Sequence, residues 1–341
     1  MHLTHRPLEL TYRHVFRISR GAAATTRNVL VELAHEGLVG RGEAVPFRYL
    51  GWPEEAVSAS LEALRAPLAD ADPTTVGSLA AELGALPGVA HPALAAVVAA
   101  LWDLHGQALG QPVWRLLGLD PARAGLTSFT LSLGSAGEVL AQADDAAPYP
   151  ILKVKCGGPD DLGVVAALAA HTGKRLWVDA NGGWRPDEAA RLAGALAALG
   201  VELIEQPVPA GAGDAEGLAR VRAASPLPIV ADESVRSPAD VARLAGAVDG
   251  VNVKLEKVGG LSAALTTIAA ARAGGLRVML GCFGSSSVAM SAAAQLAPLA
   301  DWCDLDGHLL LRDDPFIGMT APGGAITLPS GPGLGVTPRA G

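Results

Sequence analysis

Five charged residues recur along the second half of the chain, each closing a short apolar run: Lys155 after "ILKV", Asp179 after "LWV", Glu205 after "VELI", Asp232 after "PIVA" and Lys254 after "GVNV". Three carboxylates drawn into one low-dielectric pocket repel each other unless a cation sits among them. Hard oxygen donors of this kind suit Mg²⁺. A divalent ion and a second lysine both lower the pKa of an ammonium group, so a lysine at such a site can act as a base near neutral pH. The chemistry that this set could do is therefore metal-assisted proton transfer. The stretch "LKVKCGG" adds Lys153, two positions before Lys155, and residues i and i+2 of a strand share a face. Taken alone, that stretch would suit a solvated edge strand, and a single carboxylate could simply cap a helix, as "DANGGWRPDEA" allows. Lys257, in "KLEKVGG", reads as a solvated turn residue. It is the ordered series of lysine, three acids and lysine that distinguishes the set.

Positioning these residues requires strands whose ends converge. From about Leu126 onward, short apolar runs ("LTSFTLSL", "ILKVKC", "LWVDAN", "VELIEQ", "PIVADES", "GVNVKL", "LRVMLG", "WCDLDG") alternate with Ala/Leu/Arg-rich helical stretches about 22 to 27 residues apart. Eight such units in roughly 190 residues fit a closed (β/α) barrel better than an open doubly wound sheet, and no GxGxxG turn follows the first strand. In such a barrel the strand ends form one mouth, where active sites are built. The tail "PSGPGLGV" has no helix after it and reads as a closing segment, not a phosphate loop.

Ahead of the barrel, alternating segments such as "NVLVELAHEGLVGRGEAV" predict an antiparallel meander to about Gly51. Helical periodicity follows from Glu54 to about Leu117, strongest in "HPALAAVVAALWDLHGQALG". The organisation expected is an α+β capping domain over 1–122, a barrel over 123–312 and a C-terminal segment over 313–341 that returns to the cap. The chain has 341 residues, half of them apolar, and a formal net charge of −8, which opposes a nucleic-acid partner. Three separated cysteines, Cys156, Cys282 and Cys303, have no metal-ligand spacing and are expected as free thiols. The opening residues carry no signal pattern, and Asp103 stops the most apolar run short of a membrane span. A cytoplasmic protein with no membrane partner is the expectation, with assembly into a homo-oligomer left open.

Over nearly its whole length the sequence resembles the enolase superfamily, in its muconate-lactonising subgroup. The motifs that carry this are KxK (Lys153, Lys155), DxN (Asp179, Asn181), EQP, DES and the lysine of "NVKLEKVGG". The resemblance implies an N-terminal α+β cap on a (β/α)7β TIM-like barrel, with one Mg²⁺ per subunit on Asp179, Glu205 and Asp232. It also implies removal of the proton α to a metal-bound carboxylate to give an enediolate, a step that this superfamily performs with a lysine or histidine base and Mg²⁺. Lys155 and Lys254 would be the opposed acid and base, Lys153 would help neutralise the substrate carboxylate, and Asn181 would contact the enolate or support a ligand.

Within the subgroup, "CDLDGHLLL" points to the substrate. Asp304 and Asp306, two apart on the last strand, would both face the mouth, repelling an acylated or succinylated ligand and welcoming an ammonium group. In this the chain is similar to the dipeptide epimerases of the L-Ala-D/L-Glu type, and "FRISRGAAATTRNVLVEL" looks like their lid, with Arg20 beside three alanines. Ser285 stands where many members have a glutamate, so the second residue of the dipeptide is open, with a hydrophobic one favoured by the small lid residues. The rival readings are an N-succinylamino acid racemase or o-succinylbenzoate synthase, and a non-catalytic barrel that binds an amino-terminal ligand.

Overall fold

A computed structural model describes residues 1–340. The N-terminal meander is three antiparallel strands, β1 (His2–Ile18), β2 (Gly21–His35) and β3 (Leu38–Ala44), in the order β1-β2-β3. The helices α1 (Glu54–Ala69), α2 (Val76–Gly84), α3 (His91–Leu109) and α4 (Val113–Leu116) follow. Helix α3 is apolar on almost every face because it is covered from two sides. Towards the cap it lies on β3, where Gly40 and Gly42 face it: a Cβ on Gly42 would come within 1.9 Å of the Ala96 carbonyl oxygen, and one on Gly40 within 2.1 Å of that of Ala100. Towards the barrel, His91 Nδ1 lies 2.6 Å from the Lys257 carbonyl, and Trp102 Nε1 donates to Ser262 Oγ at 3.2 Å. Asp103, which ends the apolar run, is buried and accepts the backbone N–H groups of Arg41 and Leu334.

The barrel runs β4 (Phe129–Leu131), α5 (Ala136–Asp145), β5 (Ile151–Lys155), α6 (Asp161–Thr172), β6 (Arg175–Asp179), α7 (Pro186–Ala198), β7 (Val201–Glu205), α8 (Asp214–Ala224), β8 (Ile229–Ala231), α9 (Pro238–Leu244), β9 (Gly250–Val253), α10 (Leu255–Val258), α11 (Leu261–Ala273), β10 (Arg277–Gly281), α12 (Ser287–Ala294) and β11 (Trp302–Asp304). All eight strands are parallel, in sequential order, which is the (β/α)7β arrangement expected. The ring closes just ahead of β4: Thr127 bridges Cys303, and Ser128 N–H donates to the Cys303 carbonyl. A short pair, β12 (Phe316–Ile317) and β13 (Thr337–Pro338), lies in the tail. The tail also returns to the cap, where Gly333 exchanges backbone hydrogen bonds with Gln111 and Val113. The three cysteines are free and buried. Among the described residues no helix is long and apolar enough to cross a membrane.

Strand alternation sorts the barrel into two environments. Outward residues such as Leu152, Val154, Leu176 and Val178 join the large core under the helices, while Ile151, Trp177, Leu203, Val230 and Met279 pack against one another inside the ring. Two residues further along the same strands, on the same inward face, stand Lys153, Asp179, Glu205, Asp232 and Gly281. The apolar plug thus fills one end of the ring, and polar groups line the other.

At Gly42 the β3 contact with α3 leaves no side chain that could move aside, only backbone. Gly42→Ala should therefore destabilise the protein by about 1–3 kcal/mol or more, read as a fall in the denaturation midpoint, whereas Gly37→Ala, with nothing within 4 Å of its Cβ position, should suffer only from its left-handed φ.

Candidate active site

Strand pairing brings the charged ends into contact. Lys155 lies in register with Asp179, and Asp179 with Glu205. Lys155 Nζ donates to Asp179 Oδ2 at 2.6 Å, and Lys254 Nζ to Asp232 Oδ2 at 2.8 Å. The two lysines sit on β5 and at the end of β9, four strands apart in a ring of eight, and therefore on opposite walls with the three carboxylate-bearing strands between them. Both line a cavity of about 210 Å³, together with Arg20, Asn181, Asp232, Asp304 and Asp306. A larger cleft of about 1160 Å³ between β1, α5 and the C-terminal segment meets this cavity at Tyr12, Phe16, Thr130 and Leu310, but it carries none of the series.

Lys153 does not line this cavity. Its side chain is fully buried beneath the cavity, with Nζ 2.6 Å from Glu205 Oε2, 2.6 Å from Asp304 Oδ2 and 3.2 Å from Asp179 Oδ2. Burial opposes its charge, but the three carboxylates outweigh burial and raise its pKa well above the usual lysine value. Asp304 is correspondingly not an unpaired carboxylate: it also accepts from Ser128 Oγ at 2.7 Å. Asp306 lies beyond the end of β11 instead of on it, with Oδ2 accepting the Thr130 N–H at 2.5 Å. Burial, reinforced by Asp304, pushes Asp306 up to about 7.

Lys257 is not a solvated turn residue. The short helix α10 folds it back under the site, fully buried, where Nζ lies 2.5 Å from Asp232 Oδ1 and 3.0 Å from the Asn252 carbonyl. Burial lowers its pKa. Asp232 is held well below the usual carboxylate range: burial opposes this, but Lys254 and Lys257 prevail. Burial likewise works against the charge on Lys254, and Asp232 and Glu205 reverse it, so its pKa is raised. Asp179 is lowered in the same way by Lys155 and Lys153 against burial.

Asn252 and Gln206 are site residues that the sequence pattern does not single out. Asn252 Nδ2 donates to Glu205 Oε1 at 2.7 Å, and its amide fills the space that a side chain at residue 281 would take: a Cβ on Gly281 would lie 2.4 Å from Asn252 Oδ1. Gln206 Oε1 accepts the Asp232 N–H at 2.8 Å. Asn181, with φ of 45°, donates its N–H to Asp179 Oδ1 at 2.9 Å, and its side-chain Nδ2 lies 3.3 Å from Asp179 Oδ2. The β1–β2 hairpin tip reaches the mouth, where Arg20 donates to the Asn181 carbonyl at 2.5 Å and pairs with Glu233. Ser285 stands behind the wall: it is buried, its hydroxyl donates to the Phe283 carbonyl at 2.9 Å, and it does not line the cavity.

The donor set suits a divalent ion. Asp179, Glu205 and Asp232 are buried at adjacent strand ends, and burial, reinforced by the charge of Asp179, pushes Glu205 up to about 8. Glu205 Oε2 has no hydrogen bond of proper geometry although Lys153 Nζ is near. As the side chains stand, no three acid, histidine or cysteine groups among the described residues enclose an ion, because the Lys153 ammonium lies among the carboxylates.

Residues 137–341 match the family described as enolase C-terminal domain-like, and residues 4–118 match the mandelate racemase/muconate lactonizing enzyme N-terminal domain. The chain belongs to the enolase superfamily. Within it the chain falls in the muconate-lactonising group that contains the dipeptide epimerases. It is 38% identical over 338 residues to the L-Ala-D/L-Glu epimerase of Bacteroides thetaiotaomicron, covering 98% of this chain and 88% of that protein. Its fold superposes on the substrate-liganded L-Ala-D/L-Glu epimerase of Bacillus subtilis with a TM-score of 0.93, at 30% identity and over 100% and 99% of the two chains. The dipeptide epimerase of Cytophaga hutchinsonii, complexed with Mg and D-Ala-L-Val, matches at a TM-score of 0.92, with 27% identity and coverage of 99% and 96%.

The buried pair of Lys257 with Asp232 makes a stability test possible that is separate from catalysis. Lys257→Ala should cost about 3–5 kcal/mol, since it removes one of the two buried ammonium groups that balance Asp232, whereas breaking the exposed Arg220–Asp187 pair should leave the urea midpoint almost unchanged.

Proposed function

We propose that the protein is a Mg²⁺-dependent dipeptide epimerase that inverts the α-carbon of the C-terminal residue by 1,1-proton transfer between Lys155 and Lys254. The observation that carries this reading is the placement of those two lysines on opposite walls of one cavity, with carboxylates between them and Asp304 and Asp306 at the remaining side. A planar carbanion can be reprotonated from either face only if a proton donor stands on each.

Asp179, Glu205 and Asp232 are the ion's ligands in this reading, one ion per subunit. Bound there, Mg²⁺ would offset the charge that develops on the substrate carboxylate and cancel the carboxylate charge that now holds Lys254 protonated. Asn252 and Asn181 hold Glu205 and Asp179 in orientation, a support whose loss in metal sites typically costs about 10–100-fold in affinity or activity. Lys153 balances charge from beneath, equally for both enantiomers. Asp304, fixed by Ser128, and Asp306, fixed by the Thr130 amide, receive the free α-ammonium group of the dipeptide. That same pair of carboxylates disfavours N-succinyl and N-acyl substrates.

Three outcomes test this. Chelation should abolish turnover and Mg²⁺ restore it. Solvent deuterium exchange at the α-carbon, followed by NMR in D₂O, should be complementary in the two base mutants: Lys155→Ala retains exchange of one enantiomer and Lys254→Ala that of the other, while Lys153→Ala slows both alike. N-acetylated dipeptides should be poor substrates; an N-acyl amino acid that outpaces every free dipeptide would sink the substrate assignment and favour the racemase alternative.

A further inference from the structure

The side chain of the substrate's C-terminal residue has one direction left to it. If, as proposed above, the carboxylate end faces the tips of β6 to β8, the ammonium end faces Asp304 and Asp306, and the two lysines flank the α-carbon, that side chain points out of the ring towards the cap. The wall there is built from Phe16, Ile18, Phe47, Tyr49, Phe283 and Leu310. Besides Lys155 and Lys254, whose ammonium groups lie 5.9 Å from the Phe16 ring and 4.4 Å from the Phe283 ring and are paired with Asp179 and Asp232, the one cation on it is Arg20, and the three residues after Gly21 are alanines.

Arg20 is already engaged. One side of its guanidinium pairs with Glu233, which is itself buried, another donates to the Asn181 carbonyl at 2.5 Å, and the group lies 4.3 Å from the centre of the Tyr49 ring. Turning Arg20 towards a ligand would strand the Glu233 carboxylate out of water, which is costly. Arg27 offers no substitute: its Nε lies 3.5 Å from Glu54 and 4.0 Å from Glu9, and it does not line the cavity. An acidic side chain would therefore enter a low-dielectric space with no free countercharge and a fixed carboxylate nearby.

We infer that this enzyme acts on dipeptides whose C-terminal residue is uncharged and apolar, and that the Arg20–Glu233 pair excludes an acidic one. This inference rests on the dipeptide reading and narrows its substrate class. Apolar burial against the aromatic wall supplies the discrimination in favour, and the unpaired charge supplies the discrimination against.

The test is kcat/KM for L-Ala-L-X with X as Leu, Phe, Met, Glu and Lys, measured as α-proton exchange on the Mg²⁺-loaded enzyme. The best apolar substrate should exceed L-Ala-L-Glu and L-Ala-L-Lys by about tenfold or more. Glu233→Gln frees Arg20 and should raise the ratio of L-Ala-L-Glu to L-Ala-L-Leu by about tenfold. Ile18→Arg, which adds a cation to the same wall without touching Glu233, should shift the ratio in the same direction and covers the case in which the Glu233→Gln enzyme does not fold. If L-Ala-L-Glu or L-Ala-L-Lys matches the best apolar dipeptide in the unmodified enzyme, or if the ratio is unmoved in a folded Glu233→Gln enzyme, the inference is overturned while epimerisation stands. If no dipeptide of the panel exchanges, the proposed function falls, and the inference falls with it.

Discussion

Buried charge has to be balanced where it stands, and in this protein that requirement organises one whole end of the barrel. Four lysines (Lys153, Lys155, Lys254 and Lys257) face five carboxylates (Asp179, Glu205, Asp232, Asp304 and Asp306), and all nine are almost entirely out of water. Each ammonium contacts a carboxylate directly or, like Lys153, several. A set like this is expensive to assemble and unforgiving to break, because removal of one member leaves its partner charged and dry. Of these five carboxyl groups, Glu205 and Asp306 are pushed up towards neutrality, by burial first and by the neighbouring carboxylates after it. Those are the points at which a dication and an ammonium ligand would relieve the repulsion. The apolar plug of Ile151, Trp177, Leu203, Val230 and Met279 below keeps the charges in a low-dielectric setting and keeps water from entering from that side.

The cap supplies what the strand ends lack, a roof. Its loops bring Phe47 and Tyr49 over the mouth, and β1 brings Phe16, Ile18 and, at its tip, Arg20. The cap is pinned to the barrel at a polar contact as well. Glu43 on β3 is buried and accepts from Asn28, from the Ser286 amide at 3.1 Å and from the Ser286 hydroxyl at 2.5 Å, at the start of α12. Asn28 also donates to the Gly284 carbonyl. The loop carrying Phe283 is thereby held from above. The Phe283 ring lies tilted against that of Phe47, and its centre lies 4.4 Å from Lys254 Nζ, so the position of a barrel lysine is tied to a contact made by the cap.

Much of this is legible in the order of residues alone. A strand that is apolar at i and charged at i+2 or i+4 on one face announces an interior that changes character along its length, and five such strands at regular spacing announce a ring. The meander and the helices of the cap are readable from their periods. What the chain order does not display is which groups meet across strands. Lys257 looks like a turn residue because it is followed closely by two glycines, and only the return of α10 beneath Asp232 buries it. Asn252 sits in an ordinary apolar run, and its importance comes from the glycine opposite, whose missing Cβ makes room for the amide. Asp304 reads as free because Lys153 is 151 residues away; Asp306 reads as part of a strand that in fact ends two residues earlier. Ser285 reads as a wall residue because position along the loop is visible in sequence and the direction of a side chain is not.

The closure of the ring and of the cap has a consequence for the order in which the molecule can be made. The barrel's last strand is held by Thr127 and Ser128, and Leu334, near the C-terminus, donates its amide to Asp103 in the cap, 231 residues earlier. The first closure cannot form on a ribosome until Cys303 and Asp304 have emerged, nor the second until Leu334 has. Until then the cap's strands and helices lack their return segment, and the ring is an open sheet with unpaired edges at β4 and at its growing end. Contacts of such long sequence separation are slow to find, and exposed edges are where nascent chains associate wrongly. The barrel and its roof are therefore sealed late, each by a segment made after the parts it closes, and the charged mouth acquires its complete set of partners only when the last strand, bearing Asp304, arrives.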